Sequence, residues 1–186
     1  MSRVIVFGGS FDPVHVGHLA LAEFAREETG AACVLWLPAG RNPQRGEPGA
    51  SFAQRRRLLE LALADTDFVL DLREGARPGP SYTVDTLEEL AVELPGGLDL
   101  LVGGDQLAGF RSWRSWERIL ELARLLVVNR PGWTPPADAP PHRALEWPGM
   151  ELSSTWLRQR LAAGKRCRHL LPPGVAETIE AEGLYR

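Results

Sequence analysis

Short apolar runs alternate along this chain with segments whose apolar residues recur at helical spacing, and this alternation constrains the fold more than any other feature. The apolar runs predict strands over residues 4–7, 33–37, 68–70, 98–102 and 125–128. The intervening segments predict helices from residue 14, from 52 to 64, from 83 to about 94 and from 116 to 123. Continuous apolar strands separated by helices are typical of a parallel sheet that helices cover on both faces. We therefore expect an α/β fold built on a doubly wound parallel sheet.

The remaining segments depart from this alternation. Residues 38–49 and 131–148 are rich in proline, glycine or arginine, and we expect both to be long loops. Helical spacing returns over 153–162 and 175–182, which predicts two closing helices. Because the chain has 186 residues, we expect a single domain over 1–186.

Charge and cysteine content limit the classes of ligand and environment. Twenty-one basic and 24 acidic residues give a net charge of −3, so no global positive field attracts nucleic acid or an anionic membrane. Lys165 is the only lysine, so a bound anion would be held by arginines, histidines and backbone amides. Cys33 and Cys167 lie far apart, and the apolar run around Cys33 predicts a core position for it. No apolar stretch approaches the ~18 to 20 residues of a membrane span, and we expect a cytoplasmic protein.

The segment from Gly8 to His18 joins glycines and two histidines directly after the first strand. Gly8 and Gly9 allow backbone amides to approach an anion, and the following helix N-terminus adds partial positive charge. His15 and His18 are three residues apart, so both rings can lie on one face, with Gly17 leaving room for a ligand. Imidazoles placed there can donate hydrogen bonds to phosphate oxygens as charge develops during transfer. The alternative is two ordinary histidines at a helix start, but their coincidence with the glycines favours phosphate chemistry.

Residues 8–18 resemble the signature of the HxGH nucleotidyltransferase superfamily, whose members transfer a nucleotidyl group from a nucleoside triphosphate to a phosphate-bearing acceptor. Phosphopantetheine adenylyltransferases usually have threonine where this chain has His15. A histidine there is more similar to the nicotinate- and nicotinamide-mononucleotide adenylyltransferases. The resemblance implies a Rossmann-like fold of nucleotidyltransferase type, with His15 and His18 as catalytic residues. It also implies that ATP is contacted by Gly8, Gly9, Ser10, Phe11 and Gly17.

Two further segments resemble the parts of that family that bind the acceptor. Residues 81–87 resemble its Y-T-x-D-T-L segment, which presents backbone and hydroxyl groups to a nicotinate carboxylate. Residues 113–116 resemble its W-x-x-W segment, in which the first tryptophan stacks on the pyridine ring. The acceptor-binding residues implied are Ser81, Tyr82, Thr83 and Trp113. From the residues alone, we also expect Thr83 and Ser115 to be helix N-caps and Trp116 to pack in the core.

Other matches concern ATP. Gly103-Gly104-Asp105 resembles the family's G-x-D, which implies ATP contacts from Gly103 and Asp105. Residues 152–158 resemble its I-S-S-T-x-x-R motif, which supplies a helix N-terminus, hydroxyls and an arginine. The ATP-binding residues implied there are Ser153, Ser154, Thr155 and Arg158. Ser153 can equally be a simple helix cap, and caps and anion sites use the same N–H groups. The helices from about residue 153 would close the ATP site.

Two arginines are assigned by weaker matches. The family typically has Pro-His-Lys after its second strand, whereas this chain has Pro43-Gln44-Arg45. Arg45 retains a positive charge for the acceptor phosphate, while no role is carried over to Gln44. Arg130 precedes Pro131 in a recurring R-P-G and is assigned to the acceptor, with a salt bridge at a strand end as the alternative.

The resemblance implies a reaction of ATP with nicotinate mononucleotide that gives nicotinate adenine dinucleotide and pyrophosphate. Mg²⁺ would be carried with ATP, and no residues are assigned to a metal. The nearest alternative is a nicotinamide-mononucleotide or dual-specific adenylyltransferase on the same scaffold. A catalytically silent nucleotide-binding regulator is a second alternative, against which the intact histidines argue. A nucleic-acid-binding module is disfavoured by the net charge, and the oligomeric state stays open.

Overall fold

The fold is a sheet of six parallel strands in the order β3-β2-β1-β4-β5-β6. The computed structural model describes residues 3–44, 46–129, 133–150 and 152–186. The strands are β1 (Val4–Gly9), β2 (Cys33–Pro38), β3 (Val69–Leu70), β4 (Leu98–Gly103), β5 (Ala123–Asn129) and β6 (Arg143–Glu146). The predicted doubly wound parallel sheet is confirmed.

Helices connect the strands and cover the sheet. They are α1 (Val16–Thr29), α2 (Phe52–Leu63), α3 (Arg73–Ala76), α4 (Thr83–Glu93), α5 (Gly104–Leu107), α6 (Trp116–Leu122), α7 (Ser154–Ala162) and α8 (Val175–Glu182). The start of α2 is fixed by Ser51 and Gln54, whose side chains bond each other's backbone N–H in a capping box. Across the described ranges, no helix is long and apolar enough to span a membrane.

Alternate residues of each strand point to opposite faces of the sheet, where two separate apolar clusters form. Ile5 and Phe7 of β1 belong to the cluster that buries residues of α1, α2, α7 and α8. Val6, between them, belongs to the cluster that buries residues of α4, α5 and α6. The predicted covering of both faces by helices is therefore confirmed.

Three local predictions are wrong. The predicted loop 131–148 contains the edge strand β6, in which Leu145 alone is buried, so the segment has no apolar run to mark it. Helix α1 begins at Val16 rather than at residue 14. Cys33 is half-buried at the start of β2, and the buried cysteine is Cys167.

The strand order places a switch point between β1 and β4. The chain moves from β1 to β2 on one side, and later returns to β4 on the other side. In sheets of this kind, the crevice for ligands lies beyond the carboxyl ends of the strands at the switch point. Gly9 of β1 and Gly103 of β4 end the two strands that flank it.

At the amino end of the sheet, Asp99 of β4 is fully buried and holds two arginines. The Arg3 Nε donates to Asp99 Oδ1 at 2.7 Å, and Arg124 donates through Nε and Nη2 at 2.8 Å each. Burial opposes ionisation, but the hydrogen bonds from Arg124 and Arg3 outweigh it and lower the pKa of Asp99. This pairing joins the residue before β1 to β4 and β5, at the end of the sheet opposite the carboxyl ends of the strands.

We expect Asp99→Asn to lower the free energy of unfolding by about 1.5 to 3 kcal/mol at pH 7, because a charged hydrogen-bond acceptor is lost. The folded-state pKa of Asp99 is below its unfolded value, so its contribution is present above the unfolded pKa and is lost as the pH falls through the folded pKa. Urea denaturation at pH 7 and at acid pH measures both effects.

The matched control is Asp138→Asn, since the Asp138 side chain is 78% exposed and should change stability little. Equal losses for the two variants at pH 7, or a loss at Asp99 that does not shrink in acid, would contradict the assignment.

Candidate active site

The loop after β1 brings His15 and His18 together. His15 is the N-cap of α1, one residue before the helix, because α1 begins at Val16 rather than at residue 14. The two imidazole rings nevertheless stack, with centroids 3.6 Å apart and an interplanar angle of 19°. The His15 backbone N–H donates to His18 Nδ1 at 3.2 Å. The predicted sharing of one face by the two rings is confirmed.

Burial keeps both imidazoles neutral. Desolvation lowers the pKa of His15 to about 4, and desolvation together with the charge of His15 lowers the pKa of His18 well below its usual value. Because His18 Nδ1 accepts a hydrogen bond, its neutral ring carries the proton on Nε2. The pair therefore offers neutral donors rather than fixed positive charges.

Gly9 and Gly17 allow close packing around the histidines. A Cβ atom at Gly17 would lie 3.1 Å from His15 Nδ1, and one at Gly9 would lie 3.1 Å from the Phe11 ring. Phe11 in turn packs edge-on against His18, with centroids 5.1 Å apart. Gly9 and Gly17 thus permit the packing that orients the imidazoles.

Asp12 fixes the position of this loop. Its carboxylate is 3% exposed and accepts hydrogen bonds from the backbone N–H groups of Gly49 at 2.7 Å and Ala50 at 3.0 Å. It also accepts from the Tyr185 hydroxyl at 2.9 Å. One buried carboxylate therefore joins the loop after β1 to the segment before α2 and to the C-terminus.

The N-terminus of α7 reaches the same loop. Ser154 Oγ donates to the Pro13 carbonyl at 2.9 Å, and Arg158 Nη1 donates to the Asp12 carbonyl at 2.7 Å. Arg158 also lies 3.5 Å from the Asp12 carboxylate. Ser153 is the N-cap of α7 and accepts from Trp156 N–H, as predicted. Thr155 lies beside Arg158, whose Nη2 donates to its hydroxyl at 3.4 Å.

Arg55 is a structural determinant that the sequence analysis missed. It is 1% exposed and donates to the carbonyls of Ser10 at 2.7 Å and Ala39 at 2.9 Å, so it joins the loops after β1 and β2. Desolvation lowers its pKa, an effect that the negative charge of Asp12 opposes. The sequence contained one signal for the burial of Arg55. Arg55 precedes Leu58 and Leu59 by three and four residues, which places it on the apolar face of α2.

A cavity of about 420 Å³ opens next to this loop, at the carboxyl ends of β1, β2 and β4. All four residues assigned to the acceptor and described in the structure line it, namely Ser81, Tyr82, Thr83 and Trp113. Thr83 begins α4, and the N-cap is Tyr82, so the prediction of Thr83 as the cap is wrong. The N-terminal N–H groups of α4 thus lie at the cavity wall.

The two tryptophans of the 113–116 segment have different surroundings. Trp113 lines the cavity and packs on Phe110, with ring centroids 5.1 Å apart. Trp116 is half-buried and packs against the apolar cluster around α4 and α6, with the Arg111 guanidinium 4.6 Å from its ring centroid, so it lies at the edge of the core rather than within it. Ser115 is the N-cap of α6, as expected, although its side chain makes no capping hydrogen bond.

The other assigned residues lie at the edge of this site or outside the described residues. Gly103 ends β4, and Asp105 is exposed in α5, where a Cβ atom at Gly103 would lie 2.6 Å from its Oδ1. Arg45 and Arg130 lie outside the described residues. Gln44, to which no role was assigned, lines the cavity.

Sequence reasoning also missed Glu74 and Thr86 in the cavity wall. Glu74 belongs to the four-residue helix α3, which has no apolar period to mark it. Thr86 is the second threonine of the Y-T-x-D-T-L segment, and nothing else in the sequence indicated a role for it.

Comparison with known proteins agrees with this geometry. The chain matches the model of the cytidylyltransferase-like family over residues 6–160. A protein of Aeromonas hydrophila named "Probable nicotinate-nucleotide adenylyltransferase" is 43% identical, covering 97% of this chain and 96% of the relative. A protein of Stenotrophomonas maltophilia with the same name is 44% identical, covering 100% and 98%.

Solved structures show the same fold. Nicotinic acid mononucleotide adenylyltransferase of Plasmodium falciparum, complexed with NaAD, superposes with a TM-score of 0.81 at 15% identity, over 100% of this chain and 98% of that one. The sequence relatives share far more identity and span almost the whole chain. The chain belongs to the nicotinate-nucleotide adenylyltransferases within the cytidylyltransferase-like family.

Proposed function

We propose that this enzyme transfers the adenylyl group of ATP to nicotinate mononucleotide, giving nicotinate adenine dinucleotide and pyrophosphate on the route to NAD. The observation that carries the proposal is the stacked His15 and His18 pair beside a cavity whose wall contains Tyr82, Thr83 and Trp113. The pair provides donors for phosphate oxygens, and the cavity provides a flat apolar wall and a helix N-terminus for the acceptor.

In this mechanism an oxygen of the acceptor 5′-phosphate attacks the α-phosphorus of ATP in line. The new oxygen–phosphorus bond forms as the bond to the bridging oxygen breaks, and its electron pair leaves with pyrophosphate. No side-chain nucleophile is required, so catalysis consists of positioning and charge stabilisation. The Nε2–H of His18 and the His15 ring donate to the α-phosphate and to the departing pyrophosphate.

ATP occupies the glycine loop, the end of β4 and the start of α7. The residues proposed to bind it are Gly8, Gly9, Ser10, Phe11, Gly17, Gly103, Asp105, Ser153, Ser154, Thr155 and Arg158. The hydrogen bonds from α7 to Pro13 and Asp12 support this assignment, because they hold two phosphate-binding helix starts together. Mg²⁺ arrives as part of the Mg²⁺–ATP substrate, coordinated by phosphate oxygens.

Nicotinate mononucleotide occupies the cavity with its ring on Trp113 and its carboxylate at the N-terminus of α4. Ser81 and Tyr82 complete that wall. The 5′-phosphate of the acceptor then faces the histidines. From the family resemblance alone, we assign Arg45 and Arg130 to bind that phosphate.

His18→Ala should lower kcat by about 10² to 10³-fold, because one donor to the developing negative charge is lost. The KM for ATP should stay within several-fold, since the interaction strengthens only in the transition state. Steady-state pyrophosphate release measures both constants. His169→Ala, at an exposed histidine far along the chain, is the control. A His18→Ala enzyme that keeps kcat within about tenfold would remove the catalytic role.

We expect the nicotinate acid to be preferred over the nicotinamide as acceptor. Helix N–H groups form charge-assisted hydrogen bonds with a carboxylate, whereas a carboxamide would direct its own NH₂ toward donors. Parallel assays of the two mononucleotides with ATP compare their kcat/KM values. Similar values would assign the chain to the dual-specific alternative, and turnover of neither would contradict the proposed reaction.

Trp113→Ala should raise the KM for nicotinate mononucleotide, because stacking of a cationic ring on tryptophan contributes about 0.5 to 2 kcal/mol. Trp116→Ala should leave that KM unchanged and lower the free energy of unfolding by about 1 kcal/mol, since Trp116 is half-buried. Acceptor KM and thermal midpoint, measured for both variants, separate the two roles. An elevated KM in Trp116→Ala alone would mean that the stacking residue is Trp116.

A further inference from the structure

We propose that Glu74 is a positioning residue for the acceptor, which holds the two walls of the cavity in register through its side-chain bond to Thr86 and its backbone contact with Gly40. The proposal rests on the proposed function only in naming nicotinate mononucleotide as the ligand. It assigns Glu74 no contact with the reacting atoms.

The Glu74 carboxylate is buried in the cavity wall. It is 8% exposed, and its Oε1 accepts a hydrogen bond from the Thr86 hydroxyl at 2.8 Å. Thr86 is 1% exposed and accepts from Arg77 Nη1 at 2.7 Å. The Thr86 hydroxyl thus accepts from Arg77 and donates its single proton to Glu74. This chain of bonds connects α3 to the first turns of α4, where the acceptor carboxylate is proposed to bind.

A second set of contacts connects α3 to the loop after β2. Gly40 packs against the backbone of Glu74 so closely that a Cβ atom there would overlap the Glu74 carbonyl oxygen. The Gly40 N–H donates to Ser81 Oγ at 3.0 Å, and the Ser81 N–H donates to the Arg41 carbonyl at 2.8 Å. The loop that contributes Asn42, Pro43 and Gln44 to the cavity is thereby attached to the segment that leads into Tyr82.

Burial makes the ionised form of Glu74 costly, and the neighbouring groups offset that cost only in part. Burial raises the pKa of Glu74, and the hydrogen bond from Thr86 and the positive charge of Arg77 oppose this rise without cancelling it. A carboxylate at this position has a negative charge and two acceptor oxygens, whereas glutamine is uncharged and has one acceptor oxygen and an NH₂ donor. Glutamine therefore removes the negative charge beside Arg77 and replaces one acceptor oxygen with a donor, which weakens the connection from α3 to α4.

The test is Glu74→Gln, with the KM for nicotinate mononucleotide, the KM for ATP and kcat measured together. We expect the acceptor KM to rise by about tenfold to a hundredfold, the loss associated with a hydrogen bond to a charged group. The ATP KM and kcat should change by less than about threefold, because the glycine loop and the histidines keep their own contacts. A general structural defect would change all three constants.

Two Thr86 variants test the positioning role of Glu74 independently. Thr86→Val keeps the shape but removes the hydroxyl and should reproduce the rise in acceptor KM, whereas Thr86→Ser keeps the hydroxyl and should restore a nearly normal value. If Glu74→Gln does not fold, these two variants still test the positioning role. Glu88→Gln is the matched control, since Glu88 lies on the same helix with its side chain 51% exposed.

Acceptor affinity is also measured without turnover, by calorimetric titration of nicotinate mononucleotide into each protein. A parent that binds this ligand but releases no pyrophosphate would contradict the proposed reaction, while the Kd values still test Glu74. An acceptor KM and Kd for Glu74→Gln within about twofold of the parent would overturn the positioning role. Equal increases in acceptor and ATP KM would overturn it as well, and so would a parent that binds no acceptor.

Discussion

The buried carboxylate of Asp12 is the interaction on which the geometry of the site most depends. Removing a carboxylate from water is costly unless hydrogen bonds replace its hydration, and here two backbone N–H groups and the Tyr185 hydroxyl do so. Arg158 lies 3.5 Å from the same carboxylate. Four separate stretches of chain must meet at this point, so the glycine loop can adopt only the path that satisfies them. The path of the glycine loop in turn determines where the stacked histidines lie.

Contacts of this kind hold the loops of the site in fixed positions, and the proposed catalysis depends on such positioning. Arg55 holds the carbonyls of Ser10 and Ala39, which keeps the loops after β1 and β2 at a fixed separation. One loop carries the proposed phosphate donors, and the other forms a wall of the acceptor cavity. Burial also keeps His15 and His18 neutral, so they gain their strongest interaction only when negative charge develops on the transferring phosphate. The energy that fixes the loops is therefore provided by the fold before either substrate binds.

Local sequence patterns predicted the parts of this structure that depend on local physics. Apolar runs and helix caps such as Ser51 depend on residues that are close together in the sequence. The sheet, its covering helices and the glycine loop could therefore be recognised from the sequence. The partners of Asp12 could not, because Tyr185 is 173 positions away and only the folded chain brings it close. The strand β6 was missed because it is short and buries Leu145 alone. Glu74 was missed because its role depends on Thr86 and Gly40, which belong to two other segments.

In the proposed reaction the adenylyl group passes directly from ATP to the acceptor phosphate, with no covalent enzyme intermediate. The most direct measurement uses ATP made chiral at the α-phosphorus by replacing one non-bridging oxygen with sulfur. The configuration of the dinucleotide product is then determined by phosphorus NMR. A single in-line displacement inverts the configuration, and inversion is the result we predict. Retention would require two displacements through an adenylyl-enzyme and would contradict direct transfer.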